Sequence, residues 1–229
     1  MKINPYKGFF VAIEGLDGSG SEKIASQVAK ILSQEGYPIV FTKEPTEGQI
    51  GRFIKKLIKE RGKVSPLVLE YLFSADRAIL MEDRIIPSLK EGKIVVTDRC
   101  LWSSVAYRSL YFPIHWVLEI NKEFILPDNT YFIDCSPLAC VKKIKKSEDE
   151  VAIFETEKKL TEVREGYEWI GQKFNYCFDI IEPEEYSNVA EEIIKRVKRH
   201  QKFPRWRTCS TLRPELRVDD LRGGTPGVR

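Results

Sequence analysis

Short apolar runs alternate along this chain with longer stretches whose apolar residues recur every three or four positions. The short runs, rich in β-branched and aromatic residues, fall near 9–14, 38–42, 93–97, 130–134 and 178–182. The helical spacing predicts helices near 22–35, 49–60, 66–90, 103–110, 115–125, 137–146, 155–176 and 187–201. A period of two giving way repeatedly to one of 3.6 marks βαβ units. The expected fold is α/β, a parallel five-stranded sheet with helices on both faces. Ligands of such sheets bind beyond the carboxyl ends of the strands, here the segments 15–23, 43–49, 98–108 and 135–155. No internal repeat and no low-complexity segment interrupts the alternation.

The first strand-like run leads into Gly15-Leu16-Asp17-Gly18-Ser19-Gly20-Ser21-Glu22-Lys23 and then an amphipathic helix. A glycine-rich turn between strand and helix lets backbone N–H groups approach an anion, and the helix N-terminus adds partial positive charge. Gly15 and Gly20 have the spacing of a Gly-x-x-x-x-Gly-Lys-Ser/Thr phosphate loop. Ser21 and Glu22, however, stand where Lys and Ser/Thr belong.

The 229 residues allow one α/β domain of ordinary size with a tail. No apolar run approaches the ~20 residues needed to span a bilayer and no signal-peptide region opens the chain, so a cytoplasmic protein is expected. The five cysteines are scattered without a Cys-x-x-Cys pair. Buried reduced thiols are therefore expected rather than a metal site or disulfides. His115 and His200 stand alone. The net charge of +3 comes entirely from residues 204–229, which carry six Arg, three acidic residues and no Lys. The preceding 203 residues are balanced, with 22 Lys against 9 Arg. So abrupt a change without hydrophobic periodicity reads as a disordered or appended tail, such as a cloning scar or read-through. It lacks the basic density of a nucleic-acid arm. The domain is expected at 1–203, with a charged lid near 143–156.

Four constellations lie where the sheet places a site: the altered loop, Lys43-Glu44-Pro45, Leu72-Phe73-Ser74-Ala75-Asp76-Arg77, and Asp98-Arg99-Cys100-Leu101-Trp102-Ser103-Ser104-Val105-Ala106-Tyr107-Arg108. With Ile86-Pro87-Ser88-Leu89…Gly92 and Val163-Arg164-Glu165-Gly166-Tyr167 they resemble, in order, the thymidylate kinase family over about residues 8–200. The resemblance implies a three-layer P-loop kinase fold. It also implies transfer of the ATP γ-phosphoryl to dTMP, Mg²⁺ as cofactor, and a homodimer, with neither nucleic acid nor membrane as partner. The donor phosphates would lie on Gly15, Gly18, Ser19, Gly20, Ser21 and Glu22.

The family's acceptor roles fall on matching residues. Phe73 would stack on thymine, or else be a core aromatic. Arg77, one turn on, would donate to the base, or else make a surface ion pair with Glu70, Asp76 or Glu82. Asp17 would accept from the sugar hydroxyl, or else only stabilise the turn. Arg99 would hold the acceptor phosphate with its planar fork. Lys43, Ser104 and Tyr107 would line the pocket with Ser103. Arg108 stands where the family usually has Gln. Asp17, Lys23 and Arg99 are the expected catalytic residues, and Ser21, Glu22 and Asp98 the expected Mg²⁺ ligands.

The departures concern charge. Phosphoryl transfer is catalysed by positioning and by neutralising the transferred group. The loop Lys is absent, and Ile153 stands at the lid Arg. Each lost donor costs ~3 kcal/mol of barrier, about two orders of magnitude in rate. Three repairs are open: Lys23 reaching back, a cation among Lys142, Lys143, Lys145 and Lys146 swinging in, or Ser21 supplying the Mg²⁺ hydroxyl while Glu22 acts through water. The alternative is a catalytically silent nucleotide-binding paralogue with a regulatory role.

Overall fold

The computed structural model describes residues 1–60, 64–146, 157–182 and 188–204. Five strands, β1 (Phe9–Gly15), β2 (Ile39–Lys43), β3 (Ile94–Asp98), β4 (Asn129–Ile133) and β5 (Phe178–Ile181), form one sheet. All pairs are parallel, in the order β2-β3-β1-β4-β5. The helices are α1 (Ser21–Gln34), α2 (Gln49–Lys59), α3 (Pro66–Leu80), α4 (Ile86–Lys90), α5 (Leu101–Arg108), α6 (Ile114–Ile120), α7 (Pro137–Lys146), α8 (Glu157–Lys173) and α9 (Val189–Arg199). Among the described residues no helix is long and apolar enough to cross a membrane.

Alternation along β1 builds the three layers. Phe9, Val11 and Ile13 point to one face and meet Ile24, Val28 and Leu32 of α1 with Ile193 and Val197 of α9. Phe10 and Ala12 point to the other face, where Phe10 meets Leu80, Met81 and Ile85 and Ala12 shares a cluster with Trp102, Val105, Phe132 and Tyr167. Register brings Ile13 and Lys43 level with Asp98, and Gly15 level with Ile133. The carboxyl ends of four strands thus open onto one edge, where the sequence places its candidate chemistry.

The expected strands are found within a residue or two. The stretch expected as one helix over 66–90 is helical throughout but changes pitch, with a π-helical turn at Met81–Ile85 between α3 and α4. Pro87, the second residue of α4, has no N–H to donate and its ring crowds the carbonyl four residues back. A widened turn keeps the chain helical past it. The helix expected at 115–125 stops at Ile120, where the Asn121 side chain donates back to the Val117 carbonyl at 2.9 Å and so competes with the main-chain ladder. Cys100, Cys135, Cys140 and Cys177 are buried and unbridged, as expected, while Cys209 lies outside the described residues. So do the tail from 205 and the lid residues 147–156.

Among the described residues Trp102 is the largest fully buried side chain, and its ring meets Phe174 at 4.6 Å and Phe178 at 6.1 Å. Its indole N–H has no hydrogen-bond partner among the described residues. Trp102→Ala is therefore expected to cost ~3–5 kcal/mol in denaturant unfolding. Trp102→Phe, which removes that N–H while keeping an aromatic body, should cost less than about 1.5 kcal/mol. Equal losses would show that the ring does not pack as described.

Candidate active site

The loop after β1 is shaped by two glycines with positive φ, Gly18 at 83° and Gly20 at 89°. Gly18 also has no room for a side chain: a Cβ there would lie 2.6 Å from the Cys140 carbonyl oxygen and 2.9 Å from Ile144. The loop therefore packs directly on α7, the helix that leads into the lid segment. Within the loop the Ser19 N–H donates to the Leu16 carbonyl at 2.9 Å, and the Ser21 N–H donates to Ser19 Oγ at 3.3 Å.

The next three side chains diverge. Ser21 turns inward and donates from Oγ to Asp98 Oδ1 at 2.9 Å, both residues being buried. Burial pushes the Asp98 carboxyl up to about 6, against the pull of Arg99 and Ser21. Glu22 is exposed and pairs with Lys43 at 3.0 Å, and Lys43 also meets Glu47 at 3.2 Å. Lys23 lies exposed on the first turn of α1.

Arg99 follows β3 with φ of 65°, unusual for a residue with a side chain. Its Nη2 donates to Asp17 Oδ1 at 2.6 Å and its Nη1 to Ser103 Oγ at 3.1 Å, and its guanidinium lies 5.6 Å from the Tyr107 ring centroid. The Asp17 N–H in turn donates to the Tyr107 hydroxyl at 3.1 Å. Four residues singled out in the sequence, Asp17, Arg99, Ser103 and Tyr107, thus form one unit beside the loop.

Around this unit lies a buried polar network that the sequence only half reveals. Arg77 is 1% exposed, and its carboxylate partner is Glu44, none of the three considered earlier. Its Nε and Nη2 both face Glu44, with an Nη2–Oε2 distance of 2.6 Å; Nη2 also donates to Ser104 Oγ at 3.2 Å and Nη1 to Asn121 Oδ1 at 2.5 Å. Burial pushes Glu44 up to about 7 despite Arg77. Asn121 also donates to Glu70 Oε1 at 3.0 Å, and Glu70 Oε2 lies 3.6 Å from Arg108 Nε. The Arg108 guanidinium sits 5.5 Å from the centroid of the half-buried Phe73 ring. Asp76 accepts from the Thr46 N–H and hydroxyl, which ties the loop after β2 to α3. Beyond β4, Arg164 grips Asp134 through two bonds of 2.6 Å. The signal for Glu44 was a carboxylate just beyond a strand end beside an apolar run; Asn121 carried none.

The arrangement gives an amide-lined anion cradle, a hydroxyl–carboxylate pair able to meet a hard cation, and a guanidinium held at the mouth between them. Removing Arg77 tests how the network is held. Arg77→Met should lower unfolding stability by about 3–5 kcal/mol, because it strands the buried Glu44 carboxylate. Adding Glu44→Gln should recover part of that loss. A double variant no more stable than Arg77→Met alone would contradict the pairing.

The sequence model described as thymidylate kinase matches residues 13–193. The chain is 34% identical over 198 residues to the "Probable thymidylate kinase" of Staphylothermus marinus, covering 86% of this chain and 98% of that one. It is 32% identical to the protein of the same name from Thermococcus kodakarensis, with coverage of 82% and 97%. The thymidylate kinase crystal structure from Ehrlichia chaffeensis shares the fold with a TM-score of 0.65 at 24% identity, covering 83% of this chain and 98% of that one. The sheet order, the loop and these matches over nearly the whole domain agree: the chain belongs to the thymidylate kinase family.

Proposed function

We propose that this chain transfers the γ-phosphoryl group of ATP to dTMP, giving dTDP and ADP. The observation that carries the proposal is the 2.6 Å bond from Arg99 to Asp17. It joins an acceptor-side guanidinium to the loop that faces the donor, so two phosphates would meet there. A dTMP phosphate oxygen forms the new bond to the γ-phosphorus as the bond to the β–γ bridging oxygen breaks. The protein contributes alignment and neutralisation of charge.

On this reading the loop from Gly15 to Glu22, through the N–H groups of Gly18 and Gly20 and the N-terminus of α1, holds the triphosphate, while the Ser19 and Ser21 N–H groups brace the loop from within. Arg99 grips the acceptor phosphate, and Asp17 orients Arg99 and accepts from the sugar hydroxyl. Phe73 stacks on the base beside Arg108, while Arg77, Ser104, Tyr107 and Lys43 shape the pocket. Ser21 and Asp98 suit Mg²⁺, which commonly takes one or two protein oxygens and completes its shell with substrate phosphate and water. When bound it would neutralise charge between the two substrates. Glu22, engaged by Lys43, would reach the ion only through water. Lys142 and Lys143, on the helix packed against Gly18, and Lys23, on the first turn of α1, are the candidates for the missing loop ammonium. The cytoplasm, where both nucleotides are available, is the proposed compartment.

A homodimer completes the proposal. Phe53 of α2 and Leu67, Val68 and Tyr71 of α3 are 39–55% exposed on two helices that pack together, an apolar face suited to a second copy.

Two measurements follow. Coupled ADP release with dTMP, dUMP, dGMP and dAMP should be fastest with dTMP. A folded protein that dTMP stabilises thermally but that releases no ADP with any acceptor would instead support the catalytically silent paralogue. In sedimentation, the protein should run as a dimer and Tyr71→Asp as a monomer. A wild-type monomer at tens of micromolar would remove the dimer.

A further inference from the structure

The Glu14 carboxylate has no part in the chemistry above. It follows Phe10 and Ala12 on the β1 face that looks toward α5 and α8, and it is fully buried. Four donors converge on it. Oε1 accepts from the Cys100 backbone N–H at 2.9 Å and from Cys100 Sγ at 3.2 Å. Oε2 accepts from Ser103 Oγ at 2.6 Å and from the Tyr167 hydroxyl at 2.8 Å. Four donors on two oxygens is the arrangement an acceptor-only carboxylate takes. Among the described residues no cation touches it directly.

Two of these bonds bear on Arg99. The Cys100 N–H belongs to the peptide that follows Arg99, so Oε1 fixes the orientation of that peptide plane. Ser103 gives its one proton to Oε2, which leaves its lone pairs for Arg99 Nη1 at 3.1 Å. Arg99 is the residue most in need of such support: among the described residues it alone combines a side chain with a positive φ. Conformations of that kind persist only where the surroundings over-determine them. The Arg99 N–H is held by the Ile13 carbonyl at 2.9 Å, and its own carbonyl accepts from Thr97 Oγ1 at 2.8 Å. The peptide that follows Arg99 is thus held at both ends, its carbonyl by Thr97 and its N–H by Glu14, and Glu14 alone also reaches the guanidinium's rest through Ser103.

We infer that Glu14 is a positioning residue, which presents the Arg99 guanidinium preorganised to the acceptor's phosphate through the Cys100 amide and the Ser103 hydroxyl. The inference rests on the proposal that Arg99 holds the dTMP phosphate. A purely architectural Glu14, anchoring only the start of α5, would lower stability without changing how nucleoside and nucleotide are told apart.

Calorimetric titration with dTMP and with thymidine, which lacks the phosphate, separates these roles. Wild type should bind dTMP the more tightly; equal affinities would overturn the Arg99 assignment itself, and this inference with it. Glu14→Gln should weaken dTMP at least about tenfold and leave thymidine within about twofold, as expected when one charge-assisted contact is loosened. The KM for dTMP should rise while that for ATP holds. Ser103→Ala should repeat the pattern more weakly, and the double variant should be no worse than Glu14→Gln alone, since both act through one chain of bonds. Equal loss for both ligands, no loss for either, or additive losses would overturn the inference. If Glu14→Gln does not fold, Ser103→Ala decides: an unchanged ratio of dTMP to thymidine affinity would overturn it.

Discussion

The site depends on one turn of backbone. β3 ends at Asp98, level with Ile13 of β1, and the chain must reverse at once to start α5 at Leu101. It does so by placing Arg99 at φ 65°, a conformation that costs a residue with a Cβ ~1–2 kcal/mol. That reversal carries the guanidinium back over the sheet edge to Asp17, in the loop after β1. With Arg99 extended along the strand, the loop after β1 and the segment after β3 would keep the Ser21–Asp98 and Asp17–Tyr107 bonds but lose the charged link between Arg99 and Asp17. The cost is offset by hydrogen bonds from the backbone and side chains of β1 and β3.

The same economy explains how a phosphate loop can lack its lysine. Backbone amides and a helix N-terminus give an anion site that needs no side chain. Here the inward side chain is a hydroxyl bonded to a carboxylate, an arrangement that suits a hard divalent ion rather than a phosphate oxygen. Positive charge must then enter from outside the loop. On the proposed reading Arg99 would supply it from the acceptor side, and α7, whose Cys140 and Ile144 lie against Gly18, carries Lys142 and Lys143 as candidates for the donor side. Glu22, which would repel a phosphate from the usual hydroxyl position, is drawn outward by Lys43.

Much of this was legible before the fold was seen. The five strands announced themselves because each is short, apolar and bounded by turn residues, and the parallel sheet followed from their alternation with helices. Asp17, Arg99, Ser103 and Tyr107 stood out because loop and strand-end motifs fix them locally. What stayed hidden was pairing over distance. Arg77 finds Glu44 across 33 residues and Asn121 across 44, and Glu14 meets Tyr167 across 153. No local period encodes such partners; they follow from which helix lies over which strand. The π-helical turn before Pro87 escaped for the opposite reason, since a change of pitch leaves the apolar spacing almost untouched.

The central claim is that Arg99, as this backbone presents it, couples the two phosphates. Single-turnover transfer from ATP to dTMP by Arg99→Lys measures that coupling most directly, because lysine keeps the charge and loses the fork. The account predicts a rate at least about a hundredfold below wild type with ATP affinity unchanged. Transfer at the wild-type rate would contradict it.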